Sequence, residues 1–336
     1  LVGGTATLTL TNANNSGVLT FIGTNETGGG KFNITGGSNN DSITGGSGDD
    51  TIAGGVGNDG ITAGSGNDTL SGDSGDDNFA FVAGTGLTSA DTVDGGTGTD
   101  TVTLTTSVTI TAGDFDNVSN IEAITLANTA TPVTITTKDT LVAAGVTLTL
   151  NAGSLTTGVL TFNGAAETTG GGAFNIITGT GTGANDDITG GSGNDTITFV
   201  AGKLTSTDKV DGGVGTDTVA LTGGTVVAAT NFDGVKNIEV ITLTNTSTAV
   251  AIITKEELVA AGATLTLNAN SLTTGVLTFN GALEADGKFN ITGGAANDSI
   301  TGGSKDDTIA GGAGNDTIAG GLGDDTLSGN SGDDNF

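Results

Sequence analysis

Residues Gly45–Thr62 read GGSGDDTIA followed by GGVGNDGIT. These are two nonapeptides of the form G-G-x-G-x-D-x-U-x, with Asp50 and Asp59 at position six and the large apolar Ile52 and Ile61 at position eight. Glycine at positions one, two and four lets the backbone take positive φ in a tight turn with no Cβ in the way. Positions seven to nine then form a short strand whose position-eight side chain points inward, and a period of nine is that of a β-helix repeat. Two nonapeptides complete one coil, so repeats n and n+2 stack at the inter-strand spacing of about 4.8 Å.

The same unit recurs in phase. One block has five copies starting at Gly36, Gly45, Gly54, Ala63 and Gly72, and a last block has five starting at Gly293, Gly302, Gly311, Gly320 and Gly329. A middle block keeps two, at Gly181 and Gly190. Between them two other modules alternate. A strand module runs from GGTATLTL (3–10) through GVLTF (17–21) to KFNIT (31–35), and it returns at 145–178 and 262–292. Strict alternation in TLTL and GVLTF is the period-two signal of strands with one face inward. A linker module begins FVAG (81–84 and 199–202) and carries two looser nonapeptides. It continues as DFDNVSNIEAITL (114–126) or NFDGVKNIEVITL (231–243), with Phe115, Val118, Ile121 and Ile124 matched by Phe232, Val235, Ile238 and Ile241. Each linker ends in an expected short helix. TKEELVAAG (254–262) has Thr254 three residues before Glu257 as a capping box and Gly262 as its stop, and TKDTLVAAG (137–145) is its weaker copy. The expected division is therefore 1–35 strand module, 36–80 block, 81–144 linker, 145–180 strand module, 181–198 short block, 199–262 linker, 263–292 strand module and 293–336 block. Beginning at Leu1 without an initiator Met or leader, and with ends at different phases of the pattern, the sequence reads as an excerpt of something longer.

Composition fits a narrow, repeated core. Of 336 residues 62 are Gly and 12 Phe, with one Pro and no Trp, Tyr, Met, Cys or His. The missing His and Cys argue against zinc, haem and iron–sulfur sites and remove His-based triads and cysteine nucleophiles. No run approaches the 18 apolar residues of a spanning helix. Thirty-seven acidic residues against eight lysines give −29, which argues against nucleic acid as a partner and opposes compaction by self-repulsion. A divalent cation is the simplest missing counter-charge.

The turns supply what such a cation needs. Carbonyls line the concavity of the glycine turn, Asp at position six adds a carboxylate, and oxygen-only ligands on a flexible loop suit calcium above magnesium. The n-to-n+2 rule puts Asp41, Asp59 and Asp77 on one edge and Asp50 and Asp68 on the other, so Asp50 and Asp59 do not share a site. The last block supplies Asp298, Asp307, Asp316, Asp325 and Asp334. Asp186 and Asp195 in the middle block, and Asp100 and Asp217 in the linkers, complete the candidate metal ligands. Each five-repeat block gives about three sandwiched sites, and the chain at least about six. Asp91 and Asp208, in loops without the glycines, read as turn residues. No nucleophile elbow occurs: GDSGD (72–76) lacks the final glycine. Glu122 and Glu239 in NIE read as outward acids or rung-to-rung hydrogen-bond acceptors, and Lys31 and Lys288 as solvated rung edges. The chain is expected to be no enzyme.

The blocks resemble the RTX (repeats-in-toxin) calcium-binding β-roll, and with the DxVDGGxGxDxV and NIExITL elements most of the chain is similar to RTX-type bacterial surface and S-layer proteins. The resemblance implies an all-β, right-handed parallel β-roll or β-solenoid, folding triggered by calcium, and export to the cell surface or medium by type I secretion. Asn39, Ala296 and Lys305 replace the position-four glycine and Ala63 replaces position one, so weaker binding or strain is expected there. A structural surface role (S-layer, sheath, filament or adhesin stalk) that self-associates head to tail or laterally is the expected function. The alternative is the C-terminal secretion and folding module of an exported hydrolase or toxin.

Overall fold

The computed structural model describes residues 6–13, 16–81, 86–105, 109–127, 132–168, 171–181, 185–200, 202–223, 226–244, 247–256 and 258–336. It divides into two units, Leu1–Gly172 and Ala173–Phe336. Each is an all-β parallel solenoid, as expected from the nine-residue period.

In the first unit one face stacks strands Thr7–Thr11, Lys31–Thr35, Thr51–Val56, Thr69–Ser74, Thr92–Asp94 and Val118–Ser119 in that order. The opposite face stacks Thr20–Ile22, Ser42–Thr44, Gly60–Thr62, Asn78–Phe81, Thr101–Leu104, Ala123–Leu126 and Thr147–Asn151. Successive nonapeptides alternate between the faces, so Ile52 pairs with Leu70 and Ile43 with Ile61, a register of 18 residues. The position-eight residues form two inward columns. Ile34, Ile52, Leu70, Val93 and Val118 face Ile43, Ile61, Phe79, Val102, Ile124 and Leu150, all buried. Each column side chain removes its apolar surface from water, worth about 1.5–3 kcal/mol apiece.

The linker changes the partner face. The face holding Ile52 and Leu70 runs as far as Val118–Ser119, and a third sheet, Thr109–Ile110, Val133–Thr136 and Leu160–Asn163, takes its place. The second unit repeats the handover. Its continuous face runs from Ala173–Ile177 to Thr326–Ser331. The facing sheet Asp187–Thr189, Lys209–Asp211 and Val235–Lys236 gives way to Val226–Val227, Val250–Ile253, Leu277–Asn280, Ser299–Thr301 and Thr317–Ala319.

Among the described residues the expected helices are absent. Residues 137–145, and 254–256 with 258–262, make turns, closed by Leu141 N–H to Lys138 O at 3.2 Å and Val146 N–H to Ala143 O at 2.9 Å in the first copy. The second copy bonds Leu258 N–H to Lys255 O and Ala263 N–H to Ala260 O. The capping threonines are engaged elsewhere, with the Thr137 hydroxyl donating to Asn163 O and the Thr254 hydroxyl to Asn280 O. Glu257, the other half of the expected box, lies outside the described residues. The turns dip far enough to bury Val142, Leu258 and Val259, and a single helical turn does not recover its nucleation cost. Gly145 (φ 74°) and Gly262 (φ 75°) do adopt the left-handed conformation expected of them. Short 3₁₀ turns occur instead at Ala112–Phe115 and Ala229–Phe232, inside segments read as strand rungs. In the first copy the signal was T-x-x-D, where Asp114 Oδ2 accepts both the N–H and the hydroxyl of Thr111, each at 2.8 Å; in the second Asn231 Oδ1 accepts the Ala228 N–H.

Candidate metal centre

The glycine turns line the edges of each solenoid, and the position-six aspartates stand in columns there. In the first unit the Asp41 N–H donates to Asp59 Oδ1 at 2.6 Å, Asp59 to Asp77 at 2.7 Å, and Asp77 to Asp100 at 2.8 Å. On the opposite edge Asp50 donates to Asp68 and Asp68 to Asp91, both at 2.8 Å. The second unit holds Asp195 with Asp217, Asp186 with Asp208, Asp298 with Asp316 and Asp334, and Asp307 with Asp325. Asp50 and Asp59 therefore sit on different edges. Each column places a backbone N–H between successive carboxylates, which tempers the repulsion that bare stacking would create.

A second column runs the other way through position five, one of the unrestricted positions of the nonapeptide pattern. Asn40, Asn58 and Asp76 each accept from the turn above: Asn58 N–H to Asn40 Oδ1, Asp76 N–H to Asn58 Oδ1, and Thr99 N–H to Asp76 Oδ1. The same bonds join Asn297, Asn315 and Asp333. The recurrence of Asn or Asp at position five was the available signal.

The other oxygen of the position-six carboxylates separates two kinds of turn. In the turns starting at Gly36, Gly45, Gly190, Gly293 and Gly302, the position-two N–H donates to Oδ2 of Asp41, Asp50, Asp195, Asp298 and Asp307 at 2.6–2.8 Å. In the turns that lie later in a column, the position-two residue swings to positive φ (Gly55 109°, Asp73 68°, Gly96 100°, Gly213 100°, Gly312 111°). Asp59, Asp77, Asp100, Asp217 and Asp316 then keep a buried Oδ2 that no described donor reaches. At Asp77, Asp100 and Asp217 a backbone carbonyl shares the space beside that atom. A Cβ built on Gly72 would lie 2.2 Å from Asp77 Oδ2 and 2.4 Å from Gly95 O, so two acceptors share one cradle.

Burial raises these acids. Desolvation pushes Asp68 up to about 7 and Asp77 and Asp217 to about 6, with neighbouring carboxylates adding to the rise and backbone donors opposing it. Asp59, Asp100 and Asp316 are raised for the same first reason. A buried acceptor without a donor costs about 1–3 kcal/mol, and a cation is the group that relieves it. Among the described residues no three acid side chains converge, so any ion here takes much of its coordination from backbone carbonyls. That donor set suits a hard, adaptable cation such as calcium.

Asp91 and Asp208 show how the chain satisfies such an acid without a cation. Thr88 gives its N–H (2.8 Å) and hydroxyl (3.0 Å) to Asp91 Oδ2, and Thr205 does the same for Asp208. Asp325 and Asp334 are half-buried. The expected strain at Asn39, Ala296 and Lys305 does not arise. They belong to turns in which position four does not take the positive φ that Gly57, Gly66, Gly98 and Gly314 adopt, and Gly48 in the same class of turn behaves likewise. Glu122 and Glu239 are rung-to-rung acceptors, taking the N–H of Asp100 and Asp217 at 2.8 Å. Sequence reasoning missed Glu26 and Glu284, buried acids that accept the N–H groups of Gly28 and Gly287 and so fold the ETGGG and EADG loops.

The family model of the RTX calcium-binding nonapeptide repeat (4 copies) matches residues 28–61, 61–84, 85–104, 180–198, 290–317 and 301–336. These segments are RTX calcium-binding nonapeptide repeats. RTX repeats bind calcium, and the matched segments hold Asp41, Asp50, Asp59, Asp68, Asp77, Asp100, Asp186, Asp195, Asp298, Asp307, Asp316, Asp325 and Asp334. Asp217 and both NIE motifs lie outside the matched segments. No curated protein matches the chain. Among the described residues no helix is long and apolar enough to cross a membrane.

Proposed function

We propose that the chain is a calcium-stabilised structural repeat protein of the bacterial cell surface or extracellular matrix, ordered by calcium after export through type I secretion. The position-six aspartates of the RTX turns are its ligands. The observation that carries this reading is the buried, donor-free Oδ2 of Asp59, Asp77, Asp100, Asp217 and Asp316 in turns built to approach one another. Calcium staples neighbouring coils, and the inward columns and edge bonds make each unit a stiff stack.

This reading gives the chain no catalytic role. Lys31 and Lys288 are paired with Asp49 and Asp306, and the recess beside Lys209 and Lys236 has both lysines paired, with Asp187 and Asp211. The return of the same strand and linker constructions favours a repeating material in which copies associate laterally or head to tail. Electron microscopy with and without calcium tests this: calcium-dependent filaments or lattices support it. Dispersed monomers at high concentration would instead favour the folding module of an exported hydrolase or toxin.

A further inference from the structure

The acid column of each linker passes from an aspartate to a glutamate. In the blocks, the turn above the nonapeptides at Gly36, Gly45, Gly293 and Gly302 provides a position-one carbonyl and a position-six carboxylate. Above Gly95–Asp100 there is no glycine turn, only Asn120-Ile121-Glu122. Yet the same two oxygens arrive. A Cβ on Gly95 would fall 1.9 Å from Asn120 O and 2.6 Å from Asp100 Oδ2, matching the pair that a Cβ on Gly36 would meet in Gly54 O (1.9 Å) and Asp41 Oδ2 (2.5 Å). Glu122 Oε2 accepts the Asp100 N–H, the role an aspartate Oδ1 plays elsewhere in the column. Asn120 reaches this position at φ 53°, a left-handed conformation that asparagine tolerates.

The second unit builds the same arrangement. A Cβ on Gly212 would fall 2.0 Å from Asn237 O and 2.7 Å from Asp217 Oδ2, Asn237 has φ 52°, and Glu239 accepts the Asp217 N–H. Asp100 and Asp217 are both fully buried, and in each the Oδ2 facing this carbonyl has no donor.

We propose that Asn-Ile-Glu is a contracted half-site. It replaces the six-residue turn G-G-x-G-x-D by three residues, and it closes a divalent-cation site on Asp100 in the first unit and on Asp217 in the second. The longer glutamate side chain makes up for the shorter turn: it keeps the column bond to the aspartate N–H and leaves its other oxygen for the ion. The carbonyl of Asn120 or Asn237 stands in for that of the missing glycine. The motif thus carries cation binding beyond the last glycine turn, at the coil where one face hands over to another.

This inference rests on calcium binding by the RTX turns, and the test separates the two. Calcium bound per full-length chain is counted by equilibrium dialysis for the wild type, Glu122→Gln, Glu239→Gln and the double variant. Glutamine keeps an oxygen for the aspartate N–H and removes the charge. The expected result is a loss of one ion in each single variant and two in the double, with the remaining sites unchanged. An unchanged count and affinity in folded variants overturns the half-site alone, whereas a wild type that binds no calcium overturns the RTX reading first. Where a variant does not fold, anomalous scattering from wild-type crystals grown with Tb3+ decides. A peak touching Asp100 Oδ2 and Asn120 O supports the site, and peaks at Asp59 and Asp77 with none there refute it.

Discussion

Withdrawal of calcium should unfold both units, and the structure gives the size of the effect. Five carboxylate oxygens, on Asp59, Asp77, Asp100, Asp217 and Asp316, are buried with no donor among the described residues. At about 1–3 kcal/mol for each unsatisfied acceptor, an ion-free fold carries a penalty of about 5–15 kcal/mol, the whole net stability of an ordinary domain. Mass action gives a similar figure. Extracellular calcium modules have dissociation constants of about 10⁻⁴–10⁻³ M, and calcium at tenfold excess contributes about 1.4 kcal/mol per site. Five sites then contribute about 7 kcal/mol. The net charge of −29 pushes in the same direction once the ions leave. Far-ultraviolet circular dichroism and thermal melts of the full chain, with calcium and with excess chelator, read the effect. The β signal should collapse in chelator and return on calcium addition, with a steep, cooperative dependence because each coil leans on its neighbours. Magnesium at equal concentration should restore little, since it demands a rigid octahedral set. An unchanged spectrum and melt in chelator would refute the assignment of these oxygens to an ion.

Three further outcomes are expected. In chelator, acid should partly replace calcium: Asp68, raised to about 7, and Asp77 and Asp217, raised to about 6, favour the protonated folded state. Their contribution is complete below the unfolded value of about 3.9 and is lost as pH rises through 6 to 7. Urea titration should therefore show an ion-free chain more stable at pH 5 than at pH 8, and the reverse order would contradict the burial of these acids. Gly57→Ala should destabilise strongly, by more than about 2 kcal/mol, because φ is 128° and the new Cβ would meet the Asn39 backbone at 2.6 Å. Gly145→Ala, at φ 74° with nothing within 4 Å, should cost only about 1–2 kcal/mol of backbone strain; equal losses in calcium-saturated melts would remove the steric argument. Thr88→Val should cost about 1 kcal/mol by deleting one donor to Asp91 and leave the number of bound calcium ions unchanged, whereas a changed count would make Asp91 a ligand.

The sequence by itself determined the repeat, its period and its chemistry. Glycines at one, two and four, an acid at six and an apolar residue at eight leave a chain with few ways to bury Ile52 or to turn at Gly54, and nearest-neighbour stacking then fixes which aspartates share an edge. The nine-residue arithmetic of those columns is local, so it could be read without coordinates. Tertiary structure decided what depends on the coil above or below. A position-two glycine points its N–H at its own aspartate when it begins a column and swings to positive φ when another turn lies against it, so identical GGxGxD strings become two different turns. Asn39, Ala296 and Lys305 sit in turns that begin columns, with no glycine turn before them in the column, and so escape the left-handed backbone their positions suggested. TKEELVAAG has the local signals of a helix, but Thr254 donates to Asn280 O on a neighbouring coil and Leu258 and Val259 turn inward, so packing overrides propensity. Glu122 read as an outward acid or a rung-to-rung acceptor, and only the fold decided for the second, laying it over Asp100 to accept its N–H at 2.8 Å.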